Sequence, residues 1–505
     1  MAAPGCRAAA PVQIRGFPAC RKDTVAINPG GGWPGLRVTL RVNQQGGPAS
    51  GPRDQGEPSC GRAGSIQGLA WRKEVPPASA AEDSVRLDHF RHHSRVDIAG
   101  GGQISVVGDY AYLGHMDAPH GTSIIDVSDP SAPKIVSTIQ LESRDIHSHK
   151  ARVIHDGRIM ITNVERARRG FFRRGRDALA LAGRLKAELG HEPSAAEIAR
   201  AGGYDPAVVP DLLAAGKVDF DMGGFRVWDI ADKTKPRMIA HVKTGGDGSH
   251  RFDVDDRYLY ISSGRDGFVG NILQIYDLSD PAKPDLVSLW WLPGQNVGAG
   301  EKPSWKGARN QLHHAMRIGN QLWAGCWYAG VRGIDISDIR RPKTIAEYDY
   351  HPAFFHPTHT AMRPTFKVGG RDIVVVMDEE AEHEQGREHA FLWFFDFSDG
   401  KTLKPISTFH VNEGDTPYAR NGGRFGAHQY QEHFDRPLLF GTWFSGGLRA
   451  VDFSDPLDPR EVGVFIPEPG LKGKNVQTND VAVDARGLVY VLDRFHGLDI
   501  VEFQG

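Results

Sequence analysis

A short string recurs along this chain, and the recurrence constrains the fold more than any single residue does. Gly121-Thr-Ser-Ile-Ile-Asp126-Val-Ser-Asp129-Pro130 returns as Gly224-Phe-Arg-Val-Trp-Asp229-Ile-Ala-Asp232. It returns again as Leu273-Gln-Ile-Tyr-Asp277-Leu-Ser-Asp280-Pro281, then as Val331-Arg-Gly-Ile-Asp335-Ile-Ser-Asp338. Leu392-Trp-Phe-Phe-Asp396-Phe-Ser-Asp399, Leu448-Arg-Ala-Val-Asp452-Phe-Ser-Asp455 and a shortened Gly497-Leu-Asp-Ile-Val-Glu502-Phe503 complete the series. Self-similarity at a fixed period is the signature of a solenoid or a propeller.

Every copy has the same grammar. An apolar run reads as a strand, and the Ser-Asp-Pro cluster after it reads as a turn. The aspartates accept hydrogen bonds from nearby backbone N–H groups, and Pro sets φ, so their expected role is structural. Two strand-like runs precede each copy and a fourth follows. Seven repeats of four short strands predict an all-β fold, a seven-bladed β-propeller. The last repeat stops at its third strand, Leu498 to Phe503. Its fourth is expected from Asp88 to Ile98, which would remove an exposed sheet edge. The repeats resemble the LVIVD-repeat family of bacterial β-propellers over roughly residues 95–503. That resemblance implies the fold and is poor for activity.

Charge is nearly balanced at −2, which gives no reason to expect a nucleic-acid partner. Residues 1–84, rich in Gly, Pro, Ala, Ser and Arg, read as a disordered tail or as a start assigned too far upstream. Residues 85–505 are expected to form the propeller. Three of the four cysteines lie in the tail, leaving Cys326 and no disulfide framework. No apolar run approaches a membrane span, and a cytoplasmic protein without membrane contact is expected. Oligomeric state is not legible.

One segment breaks the β pattern. Residues 165–218 carry helical periodicity over Arg176 to Leu189, Ser194 to Ala201 and Pro206 to Ala215, with Ser194 as a capping residue ahead of Glu197. This insertion replaces a turn between the second and third strands of the second blade, and is expected to act as a lid.

Histidine follows the repeat. His149, His250, His313 or His314, His359 and His428 stand just before the first strand of five blades. The sixth equivalent is Asn479 and the seventh lies near Gly102. First strands line a propeller's channel, so these side chains should converge on the axis. Neutral imidazoles ligate Fe, Zn, Cu and Mn, and a buried uncharged cluster needs a cation. The expected ligands are His149, His250, His314, His359 and His428, four of them binding one divalent transition metal with a position left open. Fe(II) is favoured, with Zn, Mn or Cu possible. The His147/His149 and His313/His314 doublets leave the inward-facing member open. On the same face, Asp378 and Glu379 are the expected catalytic carboxylates, able to orient imidazoles, act as general bases or complete the coordination sphere. The arrangement is similar in architecture and ligand type to carotenoid-cleaving oxygenases and to selenium-binding-protein-type methanethiol oxidases. This implies a non-haem-iron-type oxidoreductase acting on a small or apolar substrate. A metal-dependent hydrolase or lyase, and a non-catalytic scaffold for a protein partner, are the alternatives.

Overall fold

Each repeat folds into four antiparallel strands. In the third these are Ser249–Val254, Tyr258–Ser263, Ile272–Asp277 and Asp285–Trp290, paired in that order. The computed structural model describes residues 86–98, 100–305, 310–382, 386–416, 418–469 and 475–505. Expectations for residues 1–84 fall outside the described residues. The inner strands are Gly101–Val107, Ala151–Ile154, Ser249–Val254, Asn310–Ile318, Thr358–Met362, Ala427–Tyr430 and Thr478–Val483. Each touches the next, and the last touches the first. The result is a closed, propeller-like ring of antiparallel sheets.

The N-terminal segment closes the ring as expected. Phe90–Val96 pairs with Gly497–Phe503 and supplies the missing fourth strand. Arg86–Asp88 adds to the neighbouring unit along Arg460–Ile466. Apolar cores lie between adjacent sheets. Leu113 and Ile125 of the first unit pack on Tyr490, Leu498 and Ile500 of the last. Leu273 and Ile275 pack on Leu312, Leu322 and Ile334 in the same way. Burial of these two-sided strands is the main stabilising term, roughly 25 cal/mol per Å² of apolar surface.

The repeat aspartates hold turns. Asp126 accepts from the Ser128 backbone N–H at 3.0 Å, Asp277 from that of Ser279 at 2.8 Å and Asp452 from that of Ser454 at 2.7 Å. These bonds hold the Asp126 and Asp277 carboxyls below their ordinary range, the serine hydroxyl contributing most.

Three helices leave the second unit between its second and third strands: α1 (Arg169–Leu189), α2 (Ala195–Gly202) and α3 (Val209–Gly216). Ser194 and Glu197 form a reciprocal capping box ahead of α2. α1 begins well before the Arg176 start that the Ala/Leu periodicity predicts. Its start is fixed by local side-chain contacts outside the Ala/Leu pattern, since Arg169 pairs with Glu165 and the Arg166 guanidinium lies 3.5 Å from the centre of the Phe172 ring. α1 and α3 cross tightly because a Cβ at Gly175 would meet the Leu212 carbonyl at 2.6 Å. No helix among the described residues is long and apolar enough to cross a membrane.

Candidate metal centre

The inner strands share one irregularity that aims side chains at the axis. Register slips between Gly101 and Ile104, Ser249 and Phe252, Asn310 and His314, Thr358 and Thr360, Ala427 and Gln429, and Thr478 and Asp480. A bulge of this kind leaves a residue unpaired and re-aims it. The re-aimed positions include Gly102, His250, His313, His359, His428 and Asn479, while His149 lies in the break between Ile146–His147 and Ala151–Ile154. A Cβ at Gly102 would meet the His149 carbonyl oxygen at 2.7 Å, so this member of the ring must be small.

Six imidazoles follow one another around the axis. Ring centroids are 5.0 Å apart for His147–His149, 4.8 Å for His149–His250 and 4.8 Å for His250–His313. The arc continues at 4.0 Å for His313–His359 and 4.5 Å for His359–His428. All six are buried. The structure therefore corrects the expectation at His314: His313 takes that place. His314 turns instead to Lys150, whose Nζ is 3.2 Å from its Nε2.

Hydrogen bonds decide which nitrogen of each ring faces the axis. His313 Nδ1 donates to the His359 carbonyl at 2.7 Å, and His428 Nδ1 donates to the Asn479 carbonyl. His359 Nδ1 donates to Thr360 Oγ1 at 2.8 Å, because that hydroxyl spends its own proton on Gln429 Oε1. His250 Nδ1 donates to Glu165 Oε2 at 2.8 Å. In all four the neutral ring carries its lone pair on Nε2. Burial pushes all four well below the ordinary imidazole range; the next contribution is Arg169 for His250, Arg251 for His313, His313 for His359 and Arg494 for His428. His149 differs, because the Asn163 amide NH₂ donates to its Nδ1 at 3.1 Å. Its proton lies on Nε2, which has no partner. His149 therefore does not share the Nε2 lone pair of the other four, although its ligand atom lies within 4.8 Å of those of His147 and Glu165.

His250 Nε2 and His313 Nε2 are 2.9 Å apart. With both Nδ1 protons committed, two lone pairs face each other, an arrangement that a proton or a cation between them would relieve, with Arg169 Nη2 already 3.3 Å from the His250 nitrogen. Two nitrogens bound at right angles to one ion at about 2.1 Å would be about 3 Å apart. The residues present therefore fit a metal.

Glu165 and Glu379 flank the arc at opposite ends. Glu165 Oε2 accepts from His147 Nε2 at 2.8 Å. Burial opposes its ionisation, but Arg169 and His147 hold its carboxyl down at about 2. Glu379 lies 3.9 Å from Nε2 of both His359 and His428. Ligand atoms of His359, Glu379 and His428 lie within 4.8 Å of one another, as do those of His147, His149 and Glu165. Asp378 is not in this company. It accepts from Tyr350 Oη and, at 2.8 Å, from Trp393 Nε1, and burial pushes its carboxyl up to about 8. Asp378 ends a second strand and holds these two aromatic side chains, whereas its equivalent Asp493 holds a turn, accepting from the N–H groups of Gln477, Phe495 and His496. The next residue faces the ring: Glu379 after Asp378, Phe444 after Trp443 and Arg494 after Asp493.

Arginines and aromatics close the site. Arg169, in the first turn of α1, donates to His250 Nε2 at 3.3 Å, and Arg251 donates to His359 Nε2 at 3.3 Å. Arg424 bonds Glu379 at 2.8 Å while lying 3.9 Å from the centre of the Phe444 ring. Trp327, 5.8 Å from His313, is held at φ 46°, a strained value for a bulky residue. A cavity of about 360 Å³ opens beside His147, Arg169 and Arg494. Glu165, Arg169, Arg251 and Arg424 were not singled out from sequence, whereas Arg494 was expected on the rim of this face. Cys326 is buried and its thiol is pushed up to about 12, which rules out a thiolate there.

Residues 101–140 match the LVIVD repeat family model. No curated protein matches the chain. Three solved structures are similar to it at low identity. The computationally designed Ika8 protein is 8% identical with a TM-score of 0.42, over 81% of this chain and 98% of that one. Saccharomyces cerevisiae Sqt1 is 7% identical with a TM-score of 0.43, over 81% of this chain and 84% of that one. A chain of a mitotic checkpoint complex is 10% identical with a TM-score of 0.45, over 86% of this chain and 98% of that one. The resemblance to carotenoid-cleaving oxygenases and methanethiol oxidases finds no support in these matches.

Proposed function

We propose that this propeller-like chain, which carries an LVIVD repeat, is a metal-dependent enzyme. Its metal would be held by Nε2 of His250, His313, His359 and His428, with Glu379 beside the last two. The observation that carries this is the 2.9 Å approach of two lone-pair nitrogens whose Nδ1 protons are already committed. An all-imidazole set with vacant positions suits Fe(II) first, with Zn, Mn or Cu compatible on ligand type. Bound there, such an ion would polarise a substrate or activate dioxygen. The chain's own part is to fix tautomers through the Nδ1 partners, to exclude water with Trp327 and Phe444, and to place the Glu379 carboxylate where it can take or return a proton.

A second reading rests on Arg251. Its guanidinium already donates to His359 Nε2 and could be the resident cation of a purely structural ring. Protein reconstituted with Fe(II), Zn or Mn separates the two. Turnover, with oxygen consumption distinguishing an oxidoreductase from a hydrolase or lyase, should be lost in His250→Ala and His428→Ala while both stay folded. A ring that takes up none of these metals supports the scaffold.

A further inference from the structure

The bulge that aims His250 inward also aims Arg251 inward. Arg251 is only 4% exposed, and its hydrogen bond is the Nη2 contact to His359. Its Nε and Nη1 are buried without a partner. Among the described residues no carboxylate lies within ion-pair distance of it; Asp480 and Glu379 act on it only from farther away. Arg494 is similar. Its Nε bonds the neutral Asn479 Oδ1 at 2.6 Å, and it forms no ion pair among the described residues.

The neighbouring cations make the contrast. Arg169 is paired with Glu165 and Arg424 with Glu379. A buried guanidinium with idle donors is costly unless something accepts from it. Its planar fork of N–H groups matches carboxylate and phosphate oxygens. Both guanidinium groups are cationic at neutral pH, as arginine is in proteins generally. A divalent metal in the ring would add to this surplus of positive charge, and an anion would offset it.

We propose that the axial channel binds a small oxyanion-bearing ligand, a carboxylate or a phosphate monoester, with Arg251 as the buried anchor and Arg494 at the mouth beside the cavity lined by His147 and Arg169. This names the substrate class of the site proposed above, and rests on that reading for its place in a reaction. It narrows the small or apolar substrate expected from sequence to a small anionic one. The anion contacts themselves need no metal.

The test is calorimetric titration of metal-free full-length protein with inorganic phosphate and, separately, with malonate, in a buffer free of other oxyanions. Saturable binding of at least one probe is expected, and the tighter one identifies the anion class. Arg494→Gln and Arg251→Met should each weaken it by about tenfold or more, while the surface variant Arg257→Gln binds as wild type. Arg251→Met empties a buried position and could misfold, but Arg494 is half-buried, and its variant keeps the test decisive. No saturable binding of either probe, or equal binding by wild type and Arg494→Gln, overturns the proposal. Anion binding by a protein that takes up no metal would sink the metal reading and leave this one standing.

Discussion

Two polar clusters lie along the inner strands, one step apart, and they differ in how their hydrogen bonds are spent. At the start of the strands are His250, His313, His359 and His428, whose Nε2 atoms face one another, and Arg251, whose donors are idle. One to four residues further on are Lys150, Arg152, His314 and Glu432. Here Lys150 Nζ reaches both oxygens of Glu432, at 2.7 and 3.0 Å, and Arg152 bonds the same carboxylate. Adjacent residues thus separate into different chemistries: His149 from Lys150, and His313 from His314. The second cluster is an ion-pair network closed around the Glu432 carboxylate, with His314 Nδ1 the one atom of these four side chains left buried without a partner. The first is complete only with something added, which is the mark of a binding site rather than of packing.

The comparison can be broken at its satisfied half. Glu432→Ala would leave Lys150 and Arg152 without their carboxylate, and a buried charge stripped of its partner typically costs about 3–5 kcal/mol. The denaturation midpoint should fall accordingly while metal content is unchanged. A loss below about 1 kcal/mol would show that the network is not what holds this end of the strands.

A smaller effect sharpens the same contrast at Asp378 and Glu379. Asp378→Ala removes the acceptor for the Tyr350 hydroxyl and the Trp393 indole, both buried, and should cost about 1–3 kcal/mol of stability. Metal content should be unaltered, because Asp378 accepts from the aromatic cage and Glu379 faces the ring. Loss of metal at unchanged stability would reverse the two assignments.

Much of this was legible in the sequence, and the failures have a common cause. The repeat grammar gave the strands, the closing role of the segment near Phe90, the structural aspartates and the Ser194 cap, because each depends on local pattern alone. The histidine ring was visible as a recurrence, since equivalent positions of a closed ring meet at the axis. Its exact members were not. A bulge inserts a residue, so counting in twos along Asn310–Ile318 selects His314 where the fold selects His313. The equivalent bulge in Ser249–Val254 brings Arg251 in beside His250, against simple alternation. Glu165 left no signal, because a carboxylate at a strand end looks solvated until its neighbours are known. Tautomers, which set His149 apart from the other four imidazoles, exist only once partners such as Asn163 are in place.

The account turns on which histidines present a free Nε2 to the axis, and metal stoichiometry measures that most directly. Purified wild-type protein, His313→Ala and His314→Ala should be reconstituted alike and assayed for bound metal by elemental analysis. About one ion per chain is expected in the wild type and in His314→Ala, with His313→Ala at background. Equal metal in both variants, or none in the wild type, would contradict the proposed centre.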